Sequence, residues 1–395
     1  MTWKNLFSSG IKTLSTEKGV LYLSVGTIVS NVGGALLWIL LTNILIVADY
    51  GRVEYFVAIA SLLASVGLIS MNTMLLTYLP KNVERVKSQS NLLVLINGLI
   101  LAVGFFIFSN HFATTIFLFG QMLFTMSTSE ILGRRRYKEY AIVIISYKIL
   151  QIALSILLYY LLGVDGIIIG YGISSIVFSY RFFSAFRRIK FEFDELATRK
   201  QFVFFSFALS LAGTVNAVAD KLVIAPLFGF TNLGFYQLGF QFSLFLGLIP
   251  NILFQYLLPN EAAGDKKSKL KQVGIILSLA ITFTIFALAP IIVSNIFPKY
   301  VDAVDTVRIM ILGAVPTVFS SVKLAKLLGE EKTLPVLLSS VIFAAFQIPL
   351  LVLLGNMFGT NGLALATVGG LSIQAGFLYL FDGKMKGKQS SLSIG

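Results

Sequence analysis

Residues 210–259 read SLAGTVNAVADKLVIAPLFGFTNLGFYQLGFQFSLFLGLIPNILFQYLLP. An acid and a base, Asp220 and Lys221, stand inside an otherwise apolar helical stretch, which passes through a chargeless turn into a second apolar helix ending at Pro259. The first half of the chain carries a version of this passage in NILIVADYGRVEYF (43–56) and GLISMNTMLLTYLP (67–80). Gly51 corresponds to Gly234 at an offset of 183 residues, Gly67 to Gly247 at 180, Tyr78 to Tyr256 at 178 and Pro80 to Pro259 at 179. An offset so nearly constant marks an internal duplication, and the chain reads as two related halves.

Composition sets the environment of those halves. Of 395 residues, 56% are hydrophobic and 12% charged, and the mean hydropathy is +0.86, well above the usual soluble mix. A helix needs about 20 apolar residues to cross the hydrocarbon core. Twelve runs qualify: 20–47, 53–79, 91–109, 112–132, 140–162, 165–186, 201–228, 233–258, 272–297, 304–328, 334–355 and 361–381. The short alternating segments of a membrane β-barrel do not occur. The expected fold is therefore an all-α integral membrane protein of about 12 transmembrane helices in two pseudo-symmetric six-helix bundles. The bundles are expected over 20–186 and 201–382, joined by a charged connector, 187–200 (RRIKFEFDELATRK), with a tail over 383–395. Residues 1–19 read as an interfacial amphipathic leader, because Trp3, Phe7, Ile11 and Leu14 recur at helical spacing between lysines. Eight of the nine prolines lie in the second half, which is expected to be the more bent, with straighter helices in the first.

The net charge of +13 reads as topology and not as a nucleic-acid surface. Twenty-four of the 31 basic residues fall at the ends and in alternate loops, whereas the opposite loops hold only Arg52, Lys299 and Arg308. The positive-inside rule then places both termini in the cytoplasm of a multi-pass cytoplasmic-membrane protein. The chain has no cysteine and a single histidine, His111, so it offers no disulfide, no thiolate nucleophile and no metal-ligand cluster. No glycine-rich phosphate loop, Ser-His-Asp set or accessible carboxylate pair is present. No loop is large enough to house polymerase or glycosyltransferase chemistry. An enzyme is not expected, nor a cofactor, and transport would draw on an ion gradient or on the gradient of the substrate itself.

Function must then lie among the helices, where charge is expensive and usually faces a cavity or a partner. Asp220 and Lys221 lie about 10 to 12 Å inside the seventh span, with Asn216 one turn before. They read either as a structural pair or as the cation of a site for an anion. Lys323 lies ~9 Å inside the tenth span, one turn from Lys326, whose stem can reach the surface. Lys148 shares a face of the fifth span with Gln151 and Ser155, and Glu130 is an available neutralising partner. The first span carries Thr27, Ser30, Asn31, Gly34 and Trp38 on one stripe, and the eighth carries Gln237, Gln241 and Asn251. Amides bind sugars and indoles stack on them, although such residues also hold helices together. The substrate-binding candidates are Lys221, Asp220, Asn216, Lys323, Lys148, Asn31, Trp38 and Gln241.

The sequence resembles the polysaccharide or O-antigen-type flippases of the multidrug/oligosaccharidyl-lipid/polysaccharide (MOP) exporter superfamily. The resemblance rests on Tyr50-Gly51, on ADKLVIAPLFGFTNLGFYQLGFQF (219–242), on LGEEKTLP (328–335), and on the Asp-Gly and Asn-Gly openings in GVDGIIIGYGISS (163–175) and GTNGLALATVGGLS (359–372). It covers nearly the whole chain through loose motifs that count in combination. It implies two bundles around a central cavity opening alternately to either side, and a polyprenyl-phosphate- or pyrophosphate-linked oligosaccharide whose phosphate is held by cavity cations. By position Lys221 matches the basic residue that commonly follows an acid in the seventh helix, whereas the other cations match no motif. The 395 residues leave no room for the two additional C-terminal helices of the peptidoglycan-precursor branch, which points away from that substrate. The expected partners are the lipid-linked oligosaccharide, membrane lipids and a glycan polymerase or glycosyltransferases around a monomeric transport unit. The alternative is a cation-coupled multidrug exporter of the same superfamily, which would want an anionic cavity.

Overall fold

The computed structural model describes residues 18–184, 193–265 and 267–392, without the side chains of Lys18, Val20 and 383–392. Most of the leader, residues 185–192 of the connector region and the side chains of the tail lie outside the described residues. Among the described residues every regular element is helical. In chain order these are α1 Lys18–Ile44, α2 Val47–Leu68, α3 Met71–Tyr78, α4 Arg85–Ser109, α5 Phe112–Gly133, α6 Tyr137–Leu162, α7 Val164–Val177, α8 Tyr180–Phe183, α9 Asp194–Ala197, α10 Lys200–Phe228, α11 Phe230–Ala262, α12 Ser268–Ile296, α13 Val304–Leu312, α14 Ala314–Gly329 and α15 Thr333–Leu392. A 3-10 turn, Pro298–Ala303, precedes α13.

The described residues of all twelve expected spans fall mainly in helices, but several spans are interrupted. The second is broken between α2 and α3, where Ile69 and Ser70 take φ of 44° and 58°. The sixth breaks after the 14 residues of α7, and the tenth at Gly313 between α13 and α14. The eleventh and twelfth form one element, α15, turned at Gly359 (φ 58°, ψ −137°). The straighter first half that proline counting predicts is therefore not observed. Its sharpest break needs no proline, because two successive left-handed residues end a helix as effectively. Pro226, Pro250, Pro259, Pro290 and Pro349 are all carried inside helices.

The chain forms two compact units. One comprises the described part of Met1–Leu41 with Phe56–Val218, and the other Thr42–Tyr55 with the described part of Ala219–Gly395. A cut at the 187–200 connector would group the residues differently in two places. The end of α1 and the start of α2 belong to the second unit, and α10 passes from the first unit to the second after Val218. The first unit buries Met71, Met74 and Leu75 of α3 and Leu118, Met122, Leu123 and Met126 of α5. The second is centred on Ile224, Leu233, Tyr236, Met310, Leu351 and Leu363.

The duplication is visible in backbone detail. A Cβ on Gly51 would lie 2.0 Å from the carbonyl oxygen of Phe230, and one on Gly234 would lie 2.2 Å from that of Val47. Val47 and Phe230 are themselves 183 residues apart, so the two equivalent glycines pack on one another reciprocally, as across a two-fold axis. Toward the ends of the halves the offset becomes 196. Gly163 (φ 68°, ψ −148°) and Gly359 make the same glycine-only turn. Three residues later Gly166 sits on the Leu158 carbonyl as Gly362 sits on that of Leu354.

Candidate functional site

The Asp220-Lys221 step of α10 falls in the second unit, with Asp220 3% and Lys221 6% exposed. One Asp220 carboxylate oxygen accepts the backbone N–H of Lys221 at 2.8 Å, and the other accepts the Tyr236 hydroxyl at 2.7 Å. The Tyr236 hydroxyl also lies 2.9 Å from that of Thr367, which is 3.3 Å from the Leu363 carbonyl it donates to. Lys221 Nζ lies 3.8 Å from Asp220 and 4.5 Å from the Phe240 ring centre, an ammonium held by a carboxylate and an aromatic face. Glu54 of α2 accepts from Gln237 at 3.0 Å and lies within the fields of Lys221 and Asp220. Glu54 and Gln237 are related by the 183-residue offset, so their hydrogen bond crosses the same pseudo-two-fold contact as Gly51 and Gly234. Two carboxylates thus surround one ammonium, and the cluster is anionic when all three are ionised.

The second candidate cation is placed differently. Lys148 stands eleven residues after Tyr137 in α6, about 17 Å along the helix at 1.5 Å per residue, near mid-span. Its Nζ donates to Gln151 Oε1 at 2.6 Å, and Gln151 in turn donates to the Tyr147 hydroxyl at 3.0 Å. Among the described residues no carboxylate lies within ion-pair distance of Lys148. The expected partner, Glu130, is engaged by Lys87 at 2.8 Å and by Arg134 at 2.9 Å. Those two cations sit at the same basic-side end of their helices as Glu130, whereas Lys148 is deeper.

Lys323 is 2.5 Å from Asp382 and 4.3 Å from the Tyr379 ring centre. Lys326 reaches the same Asp382 and also Glu330 at 3.7 Å. Both lysines of α14 are therefore neutralised locally. Asp382, one residue beyond the last expected span, was not singled out by sequence, since spacing alone does not bring it to α14.

The polar stripe of α1 is only partly assembled. Gly19, Gly26 and Gly33 recur every seventh residue and pack on Tyr137, Ala141 and Lys148 of α6, a small-residue helix contact. The stripe lies on another face: Thr27 and Asn31 are exposed, a Cβ on Gly34 would meet nothing within 4 Å, and Trp38 is buried. Asn216 and Gln241 are half-buried, and Asn216 belongs to the first unit's share of α10. Among the described residues no three histidine, cysteine or acidic side chains converge as a metal site. Glu54, Tyr236 and Thr367 were not singled out by sequence. The signal available for Glu54 was its position 183 residues before Gln237.

No protein-family model matches the chain, and no curated protein matches it by sequence. Solved structures do match its backbone. The lipid II flippase MurJ in an inward closed conformation superposes with a TM-score of 0.75 at 17% identity over 92% of this chain and 87% of that one. An inward-facing MATE family multidrug resistance transporter of the MOP superfamily gives 0.62 at 14% identity over 93% and 98%. An outward-facing MATE family multidrug resistance transporter gives 0.58 at 15% over 93% and 95%. At these identities the likeness is one of fold: this chain shares the fold of the MurJ and MATE structures.

Proposed function

We propose that the chain is a transporter that moves a polyprenyl-phosphate- or pyrophosphate-linked oligosaccharide across the cytoplasmic membrane by alternating access, with both termini cytoplasmic. Counting charges in the sequence sets four intramembrane lysines against two acids. Carboxylates neutralise Lys323 and Lys326 and flank Lys221, which leaves Lys148 as the intramembrane lysine open to an anionic substrate. That residue is the observation that carries the proposal. An ammonium near mid-span with only neutral partners is costly in hydrocarbon, and a substrate phosphate is the counter-ion that would repay it. Lys221 then serves as a secondary ligand or as a charge that tunes the Glu54 and Asp220 carboxylates. The flippase among the matched structures and the extended resemblance over 219–242 support a lipid-linked substrate. Binding of the purified protein to a lipid-pyrophosphate oligosaccharide and to a cationic dye tests the proposal. Preference for the lipid-linked glycan is expected, and preference for the dye reverses it.

The anionic cluster of Glu54, Asp220 and Lys221 favours a second reading, a cation-coupled multidrug exporter. Under that reading Glu54→Gln removes the dependence of drug export on the cation gradient. Under the flippase reading the same variant still binds the lipid-linked glycan.

A further inference from the structure

The loop joining α5 to α6 has a counterpart in the second half that keeps its backbone and inverts its chemistry. Gly133-Arg134-Arg135-Arg136 and Gly329-Glu330-Glu331-Lys332 are 196 residues apart. In the first loop the amides of residues 134, 135 and 136 donate to the carbonyls of Glu130, Leu132 and Ile131 at 2.9, 2.8 and 3.0 Å. In the second, residues 330, 331 and 332 donate to Lys326, Leu328 and Leu327 at 2.9, 3.0 and 2.8 Å. Arg135 and Glu331 both take a left-handed φ, 56° and 60°. The turn therefore folds equally well with Glu-Glu-Lys, and nothing in its backbone calls for three arginines.

The arginines do build a concavity. Arg134, Arg135 and Arg136 line an open pocket of about 300 Å³ with Leu79, Pro80, Asn82, Glu84 and Gly133. Arg134 is fixed by a two-pronged contact with Glu84 (2.8 and 2.6 Å) and by Glu130 at 2.9 Å. Arg136 is 3.5 Å from Glu139, whose carboxylate is held closer by Arg181 at 2.7 Å. Arg135 is exposed, and among the described residues no carboxylate lies within ion-pair distance of it. One lining acid against three guanidiniums leaves the pocket electropositive, at the membrane face where the basic loops gather. Guanidinium groups recognise phosphate by parallel N–H bonds, and basic pockets at helix ends on that face take anionic headgroups.

We propose that this pocket binds a phosphate group, supplied either by an anionic phospholipid or by soluble phosphate, at a site separate from the transport residues. Arg135 and Arg136 are the ligands, and Arg134, anchored by Glu84, shapes the wall. The test uses the full-length protein and two probes: retention of phosphatidylglycerol against phosphatidylcholine by native mass spectrometry from mixed nanodiscs, and thermal stabilisation by inorganic phosphate. Arg135→Glu places there the residue type that the second repeat already carries in the same conformation, so the loop should still form. Because it changes the local charge by two, roughly thirtyfold weaker binding is expected. Lys138→Glu makes the same charge change outside the pocket and should leave binding intact. Loss of phosphatidylglycerol retention in Arg135→Glu alone identifies a lipid headgroup, and loss of phosphate stabilisation in Arg135→Glu alone identifies soluble phosphate. If Arg135→Glu misfolds, Arg136→Gln must show the same loss. Equal binding by wild type and the pocket variants, or equal loss in Lys138→Glu, overturns the proposal.

Discussion

The two repeats of this chain agree in backbone and differ in charge. Gly163 and Gly359 turn alike, Gly166 and Gly362 seat on equivalent carbonyls, and the 133–136 and 329–332 loops share their hydrogen bonds. Yet Glu130 binds Lys87 and Arg134, while its equivalent, Lys326, binds Asp382 and Glu330. Lys221 lies between two acids, whereas Lys148 has amide and phenol neighbours. Sterically determined positions have thus been kept in both halves, and electrostatic ones have been free to diverge wherever each charge found a local partner. Of Lys148, Lys221, Lys323 and Lys326, only Lys148 has no carboxylate within ion-pair distance among the described residues.

The largest expected effect falls on the shared geometry. Gly51→Ala and Gly234→Ala each force a Cβ into a backbone carbonyl, and each should cost more than about 3 kcal/mol, at the upper end of overpacking. Gly34→Ala, with nothing within 4 Å, should change the melting temperature little. If Gly51→Ala and Gly234→Ala differ widely from each other, the reciprocal contact is not the symmetric element described. Next come the divergent charges. Asp382→Asn leaves Lys323 without its carboxylate and Lys326 with Glu330 alone, and Glu130→Gln leaves Lys87 without its carboxylate and Arg134 with Glu84 alone; each should destabilise by about 3 kcal/mol, as for other buried pairs broken from one side. Asp382→Asn should be relieved by adding Lys323→Met, an outcome that thermal unfolding in detergent can check.

Much of the architecture was legible because it depends on local, repetitive signals. Twelve apolar runs, a near-constant glycine offset and alternating basic loops require no knowledge of which helices touch. The break at Ile69-Ser70 was not legible, since it carries no proline, whereas the one at Gly313 lies one turn before Pro316, which cannot donate to the carbonyl of Leu312, the last residue of α13. The same holds for the site. Asp220 and Lys221 are adjacent in sequence, so their pairing could be anticipated. Asp382 meets Lys323 across 59 residues and Glu54 meets Gln237 across 183, and only the fold brings them together. Glu130, available to Lys148 by depth, pairs instead with two nearer cations at the helix terminus.

A smaller effect should separate the connector from both repeats. Asp194, at the start of α9, accepts from Gln89 and lies 3.6 Å from Arg85. The Gln89 hydrogen bond, ahead of Arg85, holds its carboxyl below the usual carboxylate range. A depressed folded-state pKa contributes stability above the unfolded value and loses it as pH falls through the folded one. The 193–199 segment should therefore stay docked on α4 until pH falls below the ordinary carboxylate range, and then become accessible to hydrogen exchange. In Gln89→Leu that release should begin at higher pH.

Transport itself decides whether Lys148 marks function. Wild type and Lys148→Ala, reconstituted at equal protein content, would be compared for movement of a fluorescent polyprenyl-pyrophosphate oligosaccharide between leaflets, with Lys148→Arg included because a guanidinium still holds phosphate. Loss of flipping in Lys148→Ala, partial activity in Lys148→Arg and an unchanged melting temperature in both are the expected results. Flipping at the wild-type rate by Lys148→Ala would contradict a functional role for Lys148, leaving it a lysine satisfied by Gln151 and the substrate phosphate without the ligand assigned here.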